Sequence, residues 1–254
     1  MGGASHHQLA RFLVEDLTHI SDPDQIHQIR QVLRLKTGDR IICLSEGKTH
    51  LCSLRSITNL RIELEIIEYL NPPDPELPFE LKVYLPLLKA QKIEWILQKG
   101  TELGVYSFHL TQLERCIRQD LNWQTKLPRW EKIIREAVEQ SERVRLPKIL
   151  PTVDITRIGI PEPSSLRLAF IERLEETDSA HDVYQILTQI RSTNIQSVSL
   201  ITGPEGGFTD QELLALQEKE FRFLSLGRRI LRAETGILAG ISLVSAIGGI
   251  TVPG

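Results

Sequence analysis

The chain has 254 residues, of which 41% are apolar and 25% charged, so its composition is that of a globular protein with one large domain or two small ones. This composition excludes a mainly disordered or collagen-like chain, and no apolar run reaches the ~18 residues that cross a bilayer. The net charge of −3 argues against a uniformly basic nucleic-acid binder. Residues 89–148 nevertheless have a net charge of +4, which indicates either a solvated face or a polyanion site.

The N-terminal residues and the cysteines indicate the cellular compartment of the protein. The first residues contain no basic segment followed by an apolar one, so we expect no secretory signal. Cys43, Cys52 and Cys116 predict neither a disulfide framework nor a zinc-binding Cys-x-x-Cys pair. We therefore expect a cytoplasmic protein with reduced thiols and no metal site.

A proline-rich segment divides the chain. Residues 71–78 contain four prolines, which fit neither a helix interior nor a central strand and predict a stiff, extended linker. We place the boundary here, with a first domain over residues 1–72 and a second domain over residues 73–254.

The first domain is predicted to contain strands at 41–44 and 60–66, the second of them from strict apolar–charged alternation. A helix capped by an aspartate precedes them, and its apolar residues are expected to face inward: Ile26, Ile29, Val32 and Leu33. These elements predict a small β-barrel that binds rather than catalyses. His27, Arg30 and Arg34 are expected on one helix face, as a phosphate-binding ridge or a plain solvated face.

The second domain alternates strands with helices, which predicts an α/β fold with a mostly parallel sheet. Strands are expected at 79–87, 107–111, 166–171, 198–202 and 221–226. Helices are expected at 92–103, 129–142, 183–190 and 234–246, with a further helix after the capping box of Thr209 and Glu212. Ligands of such domains bind beyond the carboxyl ends of the strands.

Two motifs follow predicted strands of this domain. The first, residues 203–207 (Gly-Pro-Glu-Gly-Gly), has three glycines that let the backbone approach a ligand, although a tight turn is an alternative. It contains neither a P-loop nor a dinucleotide-binding pattern. The second, residues 226–235, has three arginines within five positions and runs into a helix. An ordinary loop with solvated arginines is the alternative there.

Several different short motifs follow one another along the chain in a fixed order. They are Arg11-Phe12, His27-x-x-Arg30-x-Val32-Leu33-Arg34, Lys92-x-Glu94, and residues 98–105, 114–116, 139–141, 203–207 and 226–235. In this order and spacing they resemble the ribosomal RNA small-subunit methyltransferase E family. Two positions depart from the family pattern: Glu142 stands where glycine is common, and Gly236 stands where alanine is usual.

The resemblance implies an enzyme that transfers a methyl group from S-adenosylmethionine to N3 of one uridine in the 16S rRNA of the small ribosomal subunit. It implies a PUA-like barrel followed by a SPOUT domain with a trefoil knot, in a homodimer. The apolar face of the closing helix, with Ile237, Leu238 and Ile241, fits either a dimer contact or a monomer core. Alternatives are a SPOUT methyltransferase for another RNA and an RNA-binding assembly factor without catalysis.

The resemblance also implies site residues, without a metal. The cofactor would bind at Gly203, Pro204, Glu205, Gly207, Leu226, Gly227, Ile230 and Leu231. Because uridine N3 is protonated at neutral pH, transfer needs a cation that stabilises the uridinate or a carboxylate base. Candidates for the cation are Arg115, Arg143 and Arg232, and candidates for the base are Glu139 and Glu234. RNA phosphates would bind Arg11, Arg30 and Arg34.

Overall fold

The computed structural model of the chain describes residues 9–72, 74–116, 123–159, 161–172, 186, 188, 190 and 194–249. These residues fall into two units. The first unit contains the described residues up to Glu76 together with Val138–Leu146, and the second contains Leu77–Ala137 and the described residues from Pro147 onward.

The first unit is built on a curled five-stranded sheet in the order β1-β3-β4-β5-β2. Its strands are β1 (Arg11–Leu13), β2 (His19–Ile20), β3 (Arg40–Ser45), β4 (Lys48–Ile57) and β5 (Ile62–Leu70). Only the pairing of β1 with β3 is parallel, and the β4–β5 pairing contains two register shifts of the kind that bend a sheet. Both predicted strands are confirmed, as β3 and β5, whereas a closed barrel stays a prediction.

The predicted helix of this unit differs from the expected one. Helix α1 (Pro23–His27) begins at the Asp22 cap, but the chain then continues as a π-helical turn over Gln28–Val32. Ile26 and Ile29 are buried as expected. The wider π-helical turn then changes the direction of the side chains that follow. The prediction that the last two apolar residues face inward is wrong, because Val32 is 65% and Leu33 39% exposed.

The second unit contains a six-stranded sheet in the order β11-β9-β10-β6-β7-β8, in which every pairing is parallel. Its strands are β6 (Glu80–Pro86), β7 (Ser107–Gln112), β8 (Lys148–Asp154), β9 (Ser165–Phe170), β10 (Ser197–Thr202) and β11 (Arg222–Leu224). The predicted parallel sheet is therefore confirmed. Strand β8 was not predicted, and it contains Pro151, which an edge strand tolerates. The strand expected at 221–226 ends earlier, at Leu224.

The helices described after the proline-rich segment are α2 (Ala90–Glu102), α3 (Trp123–Gln140), α4 (Asp210–Glu218) and α5 (Ala233–Gly248). The capping box of α4 is confirmed, since Thr209 and Glu212 exchange backbone-to-side-chain hydrogen bonds. Helix α3 begins six residues before the predicted start. The helix expected at 183–190 lies almost wholly outside the described residues. No helix within the described ranges combines the length and the apolarity needed to cross a membrane.

The closing helix α5 packs on α2 and β10. Ile237, Ile241 and Val244 are fully buried in the single chain. A Cβ at Gly240 would lie 2.8 Å from the ring of Phe170, so only glycine allows this close approach of α5 to the sheet. These three residues of the apolar face are therefore core within one chain, whereas Leu238 is only partly buried.

His109 on β7 gives the fold a pH dependence. Its Nε2 lies 2.9 Å from Oγ of Ser107, and its ring centroid lies 4.8 Å from that of Tyr84. Burial, with a smaller effect of Lys82, lowers the pKa of His109 from 6.5 to about 4. The unfolded chain therefore binds a proton at His109 before the folded chain does, and folding stability falls as the pH drops from 6.5 towards 4.

Replacement of His109 by Gln should remove this dependence. Between pH 7 and pH 4 the wild type should lose about 1–3 kcal/mol more unfolding free energy than the His109→Gln variant. Urea titrations at several pH values measure the difference. Parallel pH profiles for the two proteins would contradict the assignment.

Candidate active site

A cavity of about 240 Å³ lies in the second unit at the carboxyl ends of β9, β10 and β11. This is the edge of a parallel sheet where ligands of α/β domains bind. Most of its lining comes from three segments, and we name two of them: the glycine loop (203–207), which follows β10, and the arginine loop (226–232), which follows β11. The third segment is the end of β9, with Phe170, Ile171 and Glu172.

The glycine loop folds back tightly on itself. A Cβ at Gly203 would lie 3.1 Å from Cα of Gly207 and 3.3 Å from the backbone nitrogen of Phe208. Gly207 has a φ of +69°, a left-handed conformation that favours glycine. Two of the three glycines are therefore needed for the loop's own path, and that path presents bare backbone to the cavity.

Arg115 fastens this loop to the end of β7. Its guanidinium Nη1 donates hydrogen bonds to the carbonyl oxygens of Gly206 (2.9 Å) and Phe208 (3.1 Å). The backbone N–H of Glu114 donates to Oε1 of Glu212 at 2.8 Å, which joins the same turn to the cap of α4. The guanidinium thus braces the glycine loop, although Arg115 also lines the cavity.

The arginine loop adds cations and apolar surface. Gly227 has a φ of +104° and its N–H donates to Oγ of Ser225 at 3.2 Å. Arg229 and Arg232 are exposed and line the cavity. Arg232 is also the residue that precedes α5, so the N-terminal end of that helix adds further positive potential at the cavity.

Lys92, in the first turn of α2, forms ion pairs with two of the predicted site residues. Its Nζ lies 3.0 Å from Oε1 of Glu205 and 2.8 Å from Oε2 of Glu234. Burial raises the pKa of Glu234, but the contact with Lys92, a backbone hydrogen bond and the charge of Arg232 together hold that pKa below its ordinary value. Glu234 is therefore a carboxylate at neutral pH.

The structure brings most of the predicted cofactor residues together. Lining the cavity are Gly203, Gly207, Leu226, Gly227 and Leu231. Pro204 is buried inside its loop, Glu205 pairs with Lys92, and the side chain of Ile230 is 61% exposed and does not line the cavity. Sequence reasoning missed Phe170, Glu172 and Arg229. Their position directly after β9, or inside the arginine motif, was the signal that could have found them.

Arg143 lies in the first unit, not at this cavity. Its Nη2 lies 2.6 Å from Oε2 of Glu76, and the two side chains are only 4% and 6% exposed. Glu76 also accepts hydrogen bonds from the backbone N–H groups of residues 144 and 145. This geometry favours a structural role for Arg143 over contact with a uridinate.

Arg11 and Glu139, two further predicted site residues, also lie in the first unit and have partners there. Arg11 forms a 2.8 Å ion pair with Glu142 and is largely buried, which disfavours a phosphate contact. Glu142 has a φ of +62°, which explains why the family commonly has glycine there. Glu139 accepts hydrogen bonds from the N–H of Leu13 (2.8 Å) and from Nε2 of Gln25 (3.1 Å), so it too is engaged within this unit.

Arg30 and Arg34 do not share a regular helix face. Arg30 lies in the π-helical turn, and Arg34 follows it with a φ of +54°. The prediction that His27, Arg30 and Arg34 share one α-helical face is therefore wrong, whereas a phosphate contact of these residues stays a prediction. Both arginines still flank the exposed Val32 and Leu33, so cationic and apolar surface lie side by side.

The described residues contain no group of three or more His, Cys, Asp or Glu side chains that is placed to hold a metal ion. The glycine loop, the arginine loop and the N-terminal end of α5 instead form a site of backbone groups, cations and apolar side chains.

Comparisons with known proteins identify the family of this chain. A family model described as an RNA methyltransferase domain matches residues 75–245, which include the whole cavity. The ribosomal RNA small subunit methyltransferase E of Bacillus subtilis is 31% identical over 236 residues, covering 87% of each chain. That of Synechocystis is also 31% identical and covers 88% of this chain and 71% of the relative.

A solved structure extends the likeness to three dimensions. The ribosomal RNA small subunit methyltransferase E from Neisseria gonorrhoeae, solved bound to S-adenosyl methionine, is 27% identical and superimposes with a TM-score of 0.78, covering 94% of this chain and 98% of that one. The parallel sheet, its cavity and the family match define an RNA methyltransferase domain. The chain belongs to the ribosomal RNA small subunit methyltransferase E family.

Proposed function

We propose that this protein transfers a methyl group from S-adenosylmethionine to N3 of a uridine in the 16S rRNA of the small ribosomal subunit. The observation that supports this most strongly is the cavity beyond β9, β10 and β11, whose lining includes both family motifs, the glycine loop and the arginine loop. The relative that was solved with S-adenosyl methionine has the same fold over nearly its whole length.

The residues of the cavity fit S-adenosylmethionine. The cofactor has no phosphate, so a glycine loop without a P-loop lysine suits it, and Phe170, Leu226 and Leu231 supply apolar surface for its adenine ring. Oγ1 of Thr202 is buried at the cavity wall without a hydrogen-bond partner among the described residues. The carboxylate of Glu172 is available to a positively charged ligand.

Bound S-adenosylmethionine supplies an activated methyl group on its sulfonium. The protein must then align the uridine and stabilise the charge that develops when N3 loses its proton. Arg115 and Arg232 are the predicted catalytic cations that are exposed and line the cavity, and Arg229 lies in the same loop as Arg232. Because Nη1 of Arg115 donates to the carbonyl oxygens of Gly206 and Phe208, we favour Arg229 and Arg232 for this task.

Because Glu234 is paired with Lys92, we assign it no role as a base. The N3 proton passes to solvent water, and Arg229 and Arg232 stabilise the negative charge that remains on the uridine until N3 takes the methyl group.

The proposal also includes the type of each domain, the oligomeric state and the cellular location. We propose that residues 1–72 form a PUA-like RNA-binding domain and that residues 73–254 form a SPOUT domain with a trefoil knot. The knot would involve the glycine loop, the arginine loop and the segment after β9, part of which lies outside the described residues. We further propose a homodimer that acts in the cytoplasm, where its ribosomal substrate is found.

Changes at Arg30 and Arg34 should separate RNA binding from cofactor binding. The double replacement by alanine should weaken affinity for small subunits and reduce the slope of log K against log salt by about two, one for each lost phosphate contact. Cofactor affinity should not change, because neither residue lines the cavity. Filter binding at several salt concentrations measures the slope, and an unchanged slope would exclude both residues from the RNA interface.

Two measurements test the function itself. Calorimetry should show that the protein binds S-adenosylmethionine, and cofactor labelled in the methyl group should transfer label to small ribosomal subunits from cells that lack the gene. Large subunits and other RNAs serve as controls. Failure to bind the cofactor would favour an assembly factor without catalysis, and transfer only to another RNA would contradict the proposed substrate.

A further inference from the structure

Lys92 contacts two segments that build the cavity, although it does not line the cavity itself. It pairs with Glu205, which belongs to the glycine loop, and with Glu234, which lies in the first turn of α5 directly after the arginine loop. One ammonium group on α2 thus joins the glycine loop to the first turn of α5, which directly follows the arginine loop.

The ammonium of Lys92 attracts both carboxylates of this cluster in a partly buried setting. Lys92, Glu205 and Glu234 are all between one fifth and about one third exposed. Hydrogen bonds to Glu234 and Glu205 raise the pKa of Lys92, so its ammonium stays charged throughout the neutral range. Charge-assisted hydrogen bonds in such a setting are stronger than those of a fully exposed pair.

We propose that Lys92 is a positioning residue for the cofactor site, which fixes the glycine loop at a set distance from the arginine loop and so keeps the cavity open for the cofactor. The identity of that cofactor rests on the proposed function. Arg115 has a different task, because its hydrogen bonds to Gly206 and Phe208 fix the path within the glycine loop. Glu205 and Glu234 then act through Lys92 and do not touch the reacting atoms.

The test compares Lys92→Met with Lys92→Arg, and uses Lys99→Met as the matched control. Lys99 lies on the same helix and pairs at 2.8 Å with Glu102 of that helix, so its loss removes an ion pair that does not involve either loop. Lys92→Met should weaken binding of S-adenosylmethionine about tenfold in calorimetry. Lys92→Arg should restore affinity to within about threefold, and Lys99→Met should leave it unchanged.

Kinetics distinguish positioning from chemistry. With small ribosomal subunits as substrate, Lys92→Met should raise the KM for cofactor about tenfold, while kcat at saturating cofactor falls less than about threefold. A large loss of kcat with an unchanged KM would place Lys92 in the chemical step and overturn the proposal.

Hydrogen exchange on the ligand-free protein gives a measurement that does not depend on the cofactor. Amides of residues 203–207 and 226–232 should exchange faster in Lys92→Met than in the wild type, and Lys99→Met should match the wild type. Unchanged exchange in both loops would overturn the proposal even if the wild type binds S-adenosylmethionine. Faster exchange in a protein whose wild type does not bind S-adenosylmethionine would instead refute the proposed function and leave the positioning role intact.

Discussion

Gly203→Val is expected to abolish cofactor binding. A Cβ at this position would already lie 3.1 Å from Cα and 3.2 Å from the carbonyl carbon of Gly207, and both atoms are backbone. The two methyl groups of valine would add to this crowding and displace the loop that must meet the ligand. We expect affinity for S-adenosylmethionine to fall at least about 100-fold, as measured by calorimetry.

Gly236→Ala is the matched control for that variant. Gly236 also lines the cavity, but a Cβ there would meet no atom within 4 Å. It lies in α5, where alanine is favoured over glycine by about 1 kcal/mol, and alanine is the usual family residue. Gly236→Ala should therefore bind cofactor to within about threefold of the wild type and unfold at a higher temperature. Equal losses of affinity in both variants would refute the glycine-loop argument.

Glu76→Ala is expected to destabilise the protein by about 3–5 kcal/mol, because it leaves the Arg143 guanidinium buried without its ionic partner. Arg143→Ala should have an effect of similar size, for the same reason. Urea unfolding measures both losses. Among single substitutions outside the cavity, these should rank with the largest effects on stability.

An exposed pair provides the comparison for this buried one. Arg55 and Glu65 also lie 2.6 Å apart, but their side chains are 63% and 48% exposed. Glu65→Ala should leave stability nearly unchanged, since solvent screens such pairs. If Arg143→Ala were as mild as Glu65→Ala but lost methyl transfer, the structural role would be wrong and the predicted catalytic role of Arg143 would be supported.

The elements with local sequence patterns were the ones that the sequence could predict. Apolar runs and glycine boundaries located the parallel strands β6, β7, β9 and β10, and the spacing of Thr209 and Glu212 located the start of α4. The glycine and arginine motifs located the cavity, because strand ends in a parallel sheet meet at one edge.

The features that depend on distant partners could not be predicted. Glu76 and Arg143 are 67 positions apart, and Lys92 is 113 positions from Glu205, so no local pattern pairs them. Arg143, which lies just after one family motif, and Glu234, which lies within another, were assigned to chemistry, although the structure shows each in an ion pair. Nothing in the residue types of Gln28–Val32 distinguishes a π-helical turn from an α-helix. Val32 and Leu33 are therefore exposed where α-helical spacing predicts them buried.

The central claim is tested most directly by the identity of the methylated nucleoside. Small ribosomal subunits from cells without the gene are incubated with the protein and S-adenosylmethionine, and the 16S rRNA is digested and analysed by mass spectrometry. The account predicts one 3-methyluridine per rRNA molecule with the wild type and none with Gly203→Val. A methyl group on another atom or base, or no methylation by a wild-type protein that binds cofactor, would contradict it.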